Sequence, residues 1–151
     1  MIQYFYYLHF QYFLEYDEKN SPIYSGFSLG FLSTHKKALE KIEFYRNIVG
    51  FNKHPIDCFK ILKTGVRFDE KLKNKEGTVI YRLICDYEAP NGCEYWEDFG
   101  SYSSNEQAEE DMAIIKQQKK YKKHPYEFNI QKWIVDMDFQ FVEGFVSWDD
   151  E

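Results

Sequence analysis

Gly100-Ser101-Tyr102-Ser103-Ser104-Asn105-Glu106-Gln107-Ala108 repeats, seventy residues later, the frame of Gly30-Phe31-Leu32-Ser33-Thr34-His35-Lys36-Lys37-Ala38. Gly30 falls on Gly100, Ser33 on Ser103 and Ala38 on Ala108. In each copy an extended run reaches a glycine, a Ser/Thr pair able to cap a helix follows, and an alanine opens an apolar helical face. Ser103 and Glu106 have the spacing of a capping box, in which two side chains satisfy each other's orphan N–H groups.

The match extends outward in both directions. Ala38, Ile42, Tyr45 and Val49 recur on one helical face, and Gly50 is the expected stop. Ala108, Met112 and Ile115 form the corresponding face, with Ile42 on Met112 and Tyr45 on Ile115. Upstream, Ile2, Tyr4, Tyr6, Leu8, Phe10, Tyr12, Leu14 and Tyr16 have period two, the mark of a strand, and so long a strand predicts a bulge or bend. A turn over residues 17–22 and a strand over 25–32 complete a hairpin. Its counterpart is a strand over 79–88, the turn Pro90-Asn91-Gly92 and a strand over 93–102, with Tyr16 matched to Tyr87. A third strand is expected over 58–68 and again over 128–139. The fold class is α+β: two tandem strand-strand-helix-strand repeats with antiparallel sheets, related as a pseudo-two-fold pair. The first repeat is assigned to residues 1–70, a Lys-rich linker to 71–77 and the second repeat to 78–151.

Lys53-His54-Pro55 and Lys123-His124-Pro125 share this spacing and raise the question of a duplicated site. Each residue has a structural use just past a helix: the cations complement the negative helix end, and proline prevents continuation. A metal site would need further ligands in both copies, yet Cys58 is matched by Phe128, and Asp57 with Glu127 alone is a poor set. The tripeptide is therefore read as part of the duplicated fold.

The 151 residues suffice for a packed core, and their 20% aromatic content suits sheet faces and recognition surfaces. The net charge of −6 divides as +3 over residues 1–77 and −9 over 78–151. An acidic half disfavours direct nucleic-acid binding and favours a basic protein partner. Cys58, Cys85 and Cys93 are odd in number and show no C-x-x-C spacing, which points to a reducing compartment. The apolar start is interrupted by Gln3, His9 and Gln11 and is too short to span a membrane, so a cytoplasmic monomer or homodimer is expected.

No nucleotide-binding loop, nucleophile elbow or zinc-protease signature is present, and no enzyme activity, cofactor or metal is assigned. Asp136-x-Asp138 is expected to put two carboxylates on one strand face. Glu94, Glu97 and Asp98 surround Tyr95-Trp96, mixing acid with large rings as recognition surfaces do. Glu94, Trp96, Glu97, Asp98, Asp136 and Asp138 are the candidate partner-binding residues.

The run from Gly100 to Glu109, its helix and the closing Glu143-Gly144-Phe145 resemble a small bacterial domain family of unknown function. The first half keeps the frame but not the acids, and the family supplies no catalytic residue to carry over. In type, a small acidic α+β chain without motifs is similar to the immunity proteins of bacterial toxin systems. That resemblance implies an inhibitor that covers the surface of a basic toxin, such as a nuclease. The alternatives are an inhibitor that mimics nucleic-acid charge, a structural or dimerising module, and an enzyme using Asp136 and Asp138.

Overall fold

The computed structural model describes residues 1–88, 94–122 and 126–146. The elements run β1 (Ile2–Tyr16), β2 (Pro22–Leu32), α1 (His35–Tyr45), β3 (Phe59–Arg67), β4 (Val79–Glu88), β5 (Glu94–Tyr102), α2 (Asn105–Lys116), α3 (Lys119–Lys122) and β6 (Glu127–Ile134). They form two three-stranded sheets, ordered β2-β1-β3 and β5-β4-β6. In both, the first strand of the repeat is central, the second pairs with it as a hairpin, and the third takes the other edge after a helix. The expected α+β duplication is therefore a duplication of topology.

One detail shows why glycine recurs. Leu8 faces Gly30 but His9 faces Ser28, so Leu29 is an extra residue on β2. Leu83 faces Gly100 but Ile84 faces Asp98, so Phe99 is the extra residue on β5. Both bulges are followed by a glycine at positive φ, 113° at Gly30 and 132° at Gly100, where an L side chain is strained. A second register shift, between Phe13 and Glu15, bends the long first strand as expected.

The same register corrects the strand match. Tyr12 stands opposite Ser25 and Tyr87 opposite Tyr95, so Tyr12, not Tyr16, is the counterpart of Tyr87. The first hairpin is simply longer. The first helix is capped by Thr34, one of the two expected residues, but the second by Ser104, one residue beyond the expected Ser103. Thr34 Oγ1 accepts from Lys37 N–H, and Ser104 Oγ accepts from Gln107 N–H, so Ser103 and Glu106 do not form the box. Helix α1 stops at Tyr45, leaving Val49 exposed, and its buried face is Ala38, Lys41, Ile42 and Tyr45. On α2, Ala108 is buried, and Met112 and Ile115 are half-buried.

Strand β6 ends at Ile134, not at Phe139, because Asp136 turns the backbone to a φ of 66°. The residues that follow do not stay with the second repeat. The chain forms two compact units, Met1–Gln3 with Gly65–Ile134, and Tyr4–Thr64 with Val135–Glu151. The second repeat thus gives up the segment after its third strand, whereas the first divides within β1, between Gln3 and Tyr4, and within β3, between Thr64 and Gly65. Charge is redistributed as well. The first unit holds 11 Lys/Arg against 13 Asp/Glu and the second 8 against 12, so the contrast of +3 with −9 between sequence halves becomes −2 and −4.

In the unit built on β2-β1-β3, Leu8, Phe10, Tyr12, Leu29, Leu32, Ala38, Ile42, Tyr45, Phe51 and Phe59 form the buried core. Phe10 is its hub, with the rings of Phe51 and Phe59 each 4.9 Å away. The first KHP finds its place here. Helix α1 has ended before Lys53, which instead closes the single 3-10 turn Phe51–Lys53, with His54 at its C-terminal cap. The His54 ring lies 4.6 Å from that of Tyr12 and stacks on Phe145 at 6.2 Å. The second copy, Lys123-His124-Pro125, lies outside the described residues, as do Cys93, the turn at Pro90-Asn91-Gly92 and the acidic tail 148–151. No helix is long and apolar enough to cross a membrane among the described residues.

Candidate functional site

Two groups of side chains carry the sequence expectations, one in each unit. Glu94, Trp96, Glu97 and Asp98 lie on β5, an edge strand of its sheet. Alternation sends Trp96 and Asp98 to one face and Glu97 to the other. Glu97 is turned toward α3, where it accepts from Lys120 Nζ at 2.6 Å and Tyr121 Oη at 2.7 Å. These two donors hold its carboxyl below the usual range. Tyr121 also packs edge-on against Phe99 and Phe128. Glu97 is thus committed to fixing α3 on the sheet.

On the opposite face Trp96 is exposed, and the Arg82 guanidinium lies 5.1 Å from its ring centre. Arg82 is buried in β4 and donates from Nε to Asp98 Oδ2 at 3.0 Å, while Asp98 Oδ1 accepts from Gly100 N–H at 2.9 Å. Asp98 therefore turns inward to pair with Arg82 and to brace the bulge glycine. Across the strand pair from Trp96 is a residue to which the sequence drew no attention. Asp86 of β4 stands directly opposite Trp96 on one side and opposite Glu127 of β6 on the other. Both carboxyl-bearing residues are exposed, and among the described residues neither side chain has an ion pair. Like charges directly opposite each other destabilise a sheet. The register also sets Glu88 opposite Glu94.

Asp136 and Asp138 belong to the other unit and do not share a strand face. Asp136 is a buried anchor. It accepts from Ser33 N–H at 2.8 Å, Ser33 Oγ at 2.6 Å and Lys37 Nζ at 3.1 Å, while its own N–H donates to Phe31 O at 3.0 Å. Three residues at i, i+4 and i+8 on α1 grip the segment that follows. Lys37 takes the Asp136 carboxylate, Lys41 Nζ donates to the carbonyls of Asp138 and Leu29, and Tyr45 Oη donates to Gln140 O. Farther on, Phe141 and Phe145 enter the aromatic core against Phe27, with ring centres 4.4 and 4.8 Å away. Glu143-Gly144-Phe145 is thus a docking feature. Gly144 has a φ of 81° and passes so close to Val49 O that a Cβ would stand 2.1 Å from it.

Burial pushes Lys41 down from 10.5 to about 8, against the opposing pull of Asp138 and Asp136. Burial likewise pushes Tyr45 up from 10.0 to about 12. The signs give an alkaline profile. Lys41 is less favourable in the fold while charged, so stability rises between about pH 8 and 10.5, by up to about 3 kcal/mol. Tyr45 contributes stability that is present below pH 10 and lost as pH climbs toward 12. Urea denaturation should therefore show a maximum near pH 10. A Lys41→Met variant, less stable throughout, should lose the rise between pH 8 and 10. A rise of equal size in both proteins would remove Lys41 as its cause.

No group of three or more His, Cys, Asp or Glu residues with the spacing to hold a metal ion occurs among the described residues. Comparisons with protein-family models, curated proteins and solved structures find no match.

Proposed function

We propose that the chain is a protein-binding inhibitor of the immunity type, which neutralises a basic toxin-like enzyme by covering its surface with the Trp96 face of β5-β4-β6. One observation carries this reading: the row Glu127–Asp86–Trp96 across three strands. It places an exposed aromatic anchor beside two carboxylates that repel each other. A cationic partner would bury the ring and relieve the repulsion in one step. The contact set is thereby redrawn from the sequence expectation, with Trp96, Asp86 and Glu127 at its centre. Asp98, Glu97 and Asp136 are held in ion pairs of their own, and the other acids of the set stand outside it.

The test uses stability and binding together. A pull-down at low salt, eluted at high salt, should yield one stoichiometric basic protein whose own activity the chain blocks. Replacing Asp86 by lysine should then raise the stability of the free chain by about 0.5 kcal/mol. The same change should weaken the complex about tenfold or more and flatten its salt dependence. Unchanged affinity would place the interface on another face. A captured nucleic-acid-binding enzyme released by DNA but indifferent to Trp96→Ala would favour charge mimicry instead.

A further inference from the structure

The two repeats treat one equivalent place in opposite ways. In the β2-β1-β3 unit it is closed, because Asp136, just past the third strand of its repeat, is clamped by Ser33 and Lys37 at the start of α1. In the other unit the residues matching Ser33, Lys37 and Lys41 are Ser103, Gln107 and Asp111, and Asp136 is matched by Arg67, the last residue of β3. The charges are inverted: a cation now comes from the segment and the acids from the helix. Here the place is not closed.

Arg67, Tyr102, Gln107, Glu110 and Asp111 line an open cleft of about 370 Å³, together with Ile2 and Gly65. Among the described residues Arg67 and Glu110 have no ion partner, though they line the same space. Ser33 N–H holds Asp136, but its counterpart Ser103 N–H meets no acceptor among the described residues. Asp111 is held in position by Tyr102 Oη, which donates to Oδ2 at 2.7 Å and leaves Oδ1 open. Burial and this carboxylate both push the Tyr102 hydroxyl up, so it remains a donor through the ordinary pH range.

A cation from β3 and two carboxylates from α2, lining one space, call for a molecule carrying both charges. We propose that this cleft binds a small zwitterion of free amino-acid size. Its carboxylate pairs with Arg67 and its ammonium with Glu110 and Asp111, while Ile2 offers an apolar contact to its side chain. The volume is at the lower end for small-molecule sites. The site's openness implies an affinity of roughly millimolar order. This reading is independent of the inhibitor proposal, since it uses neither Trp96 nor its neighbours.

The test is a titration of the ¹⁵N-labelled full chain with glycine, L-leucine and L-glutamine in turn, followed through the amide signals of Gln107 and Asp111. At least one should give saturable shifts. N-acetyl-L-leucine, which lacks the ammonium, and L-leucinamide, which lacks the carboxylate, should not. Arg67→Gln and Glu110→Gln should each weaken binding about tenfold, the loss of one charge-assisted pair. Both residues are exposed, so the remaining signals should stay in place. The proposal is overturned if no amino acid saturates, if a capped analogue binds equally well, or if either variant binds like the parent.

Discussion

Replacing Gly144 by alanine is expected to destabilise the Tyr4–Thr64 unit by about 3–4 kcal/mol, although it adds one methyl group at a partly exposed position. Three costs combine. The backbone stands at a φ of 81°, where a Cβ costs about 1–2 kcal/mol. The methyl would meet Val49 O at 2.1 Å, and that atom is backbone, so the chain must withdraw instead of rotating a side chain aside. Withdrawal breaks the bond from Phe145 N–H to the same carbonyl, worth about 1 kcal/mol, and draws the Phe145 ring from Phe10, Phe27 and Phe51. Urea denaturation followed by far-ultraviolet circular dichroism measures the loss. Val146→Ala, at an exposed position one residue past Phe145, should change stability by less than about 0.5 kcal/mol. A Gly144→Ala loss under about 1 kcal/mol would mean that the segment does not close the core as described.

The second large effect is expected at Asp136, the other end of the same segment. Asp136→Ala removes the acceptor for Ser33 N–H, Ser33 Oγ and Lys37 Nζ together, and should cost about 3 kcal/mol. Asp136→Asn keeps the shape and one acceptor oxygen, tolerates the left-handed backbone, and should cost only about half as much. Asp136→Gly separates the two contributions. It loses the same bonds as alanine but relaxes the φ of 66°, so it should be about 1 kcal/mol more stable than the alanine variant. Equal stability of all three would reduce Asp136 to a surface residue. The Asp136 carboxylate is engaged by Ser33 and Lys37, and it does not share a strand face with Asp138.

The repeat could be read from residues because its signals are local. Gly30 and Gly100, the helical alanines and the alternating strands each depend on conformations spanning a few residues. Register could not be read the same way. Tyr12 and Tyr16 differ by four, so unbroken alternation would put both on one face and accepts either as the partner of Tyr87, while the bulge between them is invisible to it. The end of β6 was obscured for a similar reason: Val135, Met137 and Phe139 continue the period-two pattern, while one left-handed residue between them ends the strand. Lys41 carries no signal in the sequence, because the carbonyl of Asp138 that holds it lies nearly a hundred residues away. On β5 the acids and Trp96 were visible, but their pairing was not. Arg82 and Lys120 neutralise Asp98 and Glu97 from other elements, and Asp86 meets Glu127 only across a strand pair.

The exchange of segments between the two units also sets a timetable for synthesis. A growing chain completes Tyr4–Thr64 early, with most of its aromatic core already present. It cannot close that core until Phe145 has been made, 81 residues later. At about 5–20 residues per second the wait is about 4–16 s. During that interval the slot between Tyr12, Phe27 and Phe51 is open to whatever else is near the ribosome. Full closure of this unit is thus a late event of synthesis, whatever the local speed at which its own strands and helix form.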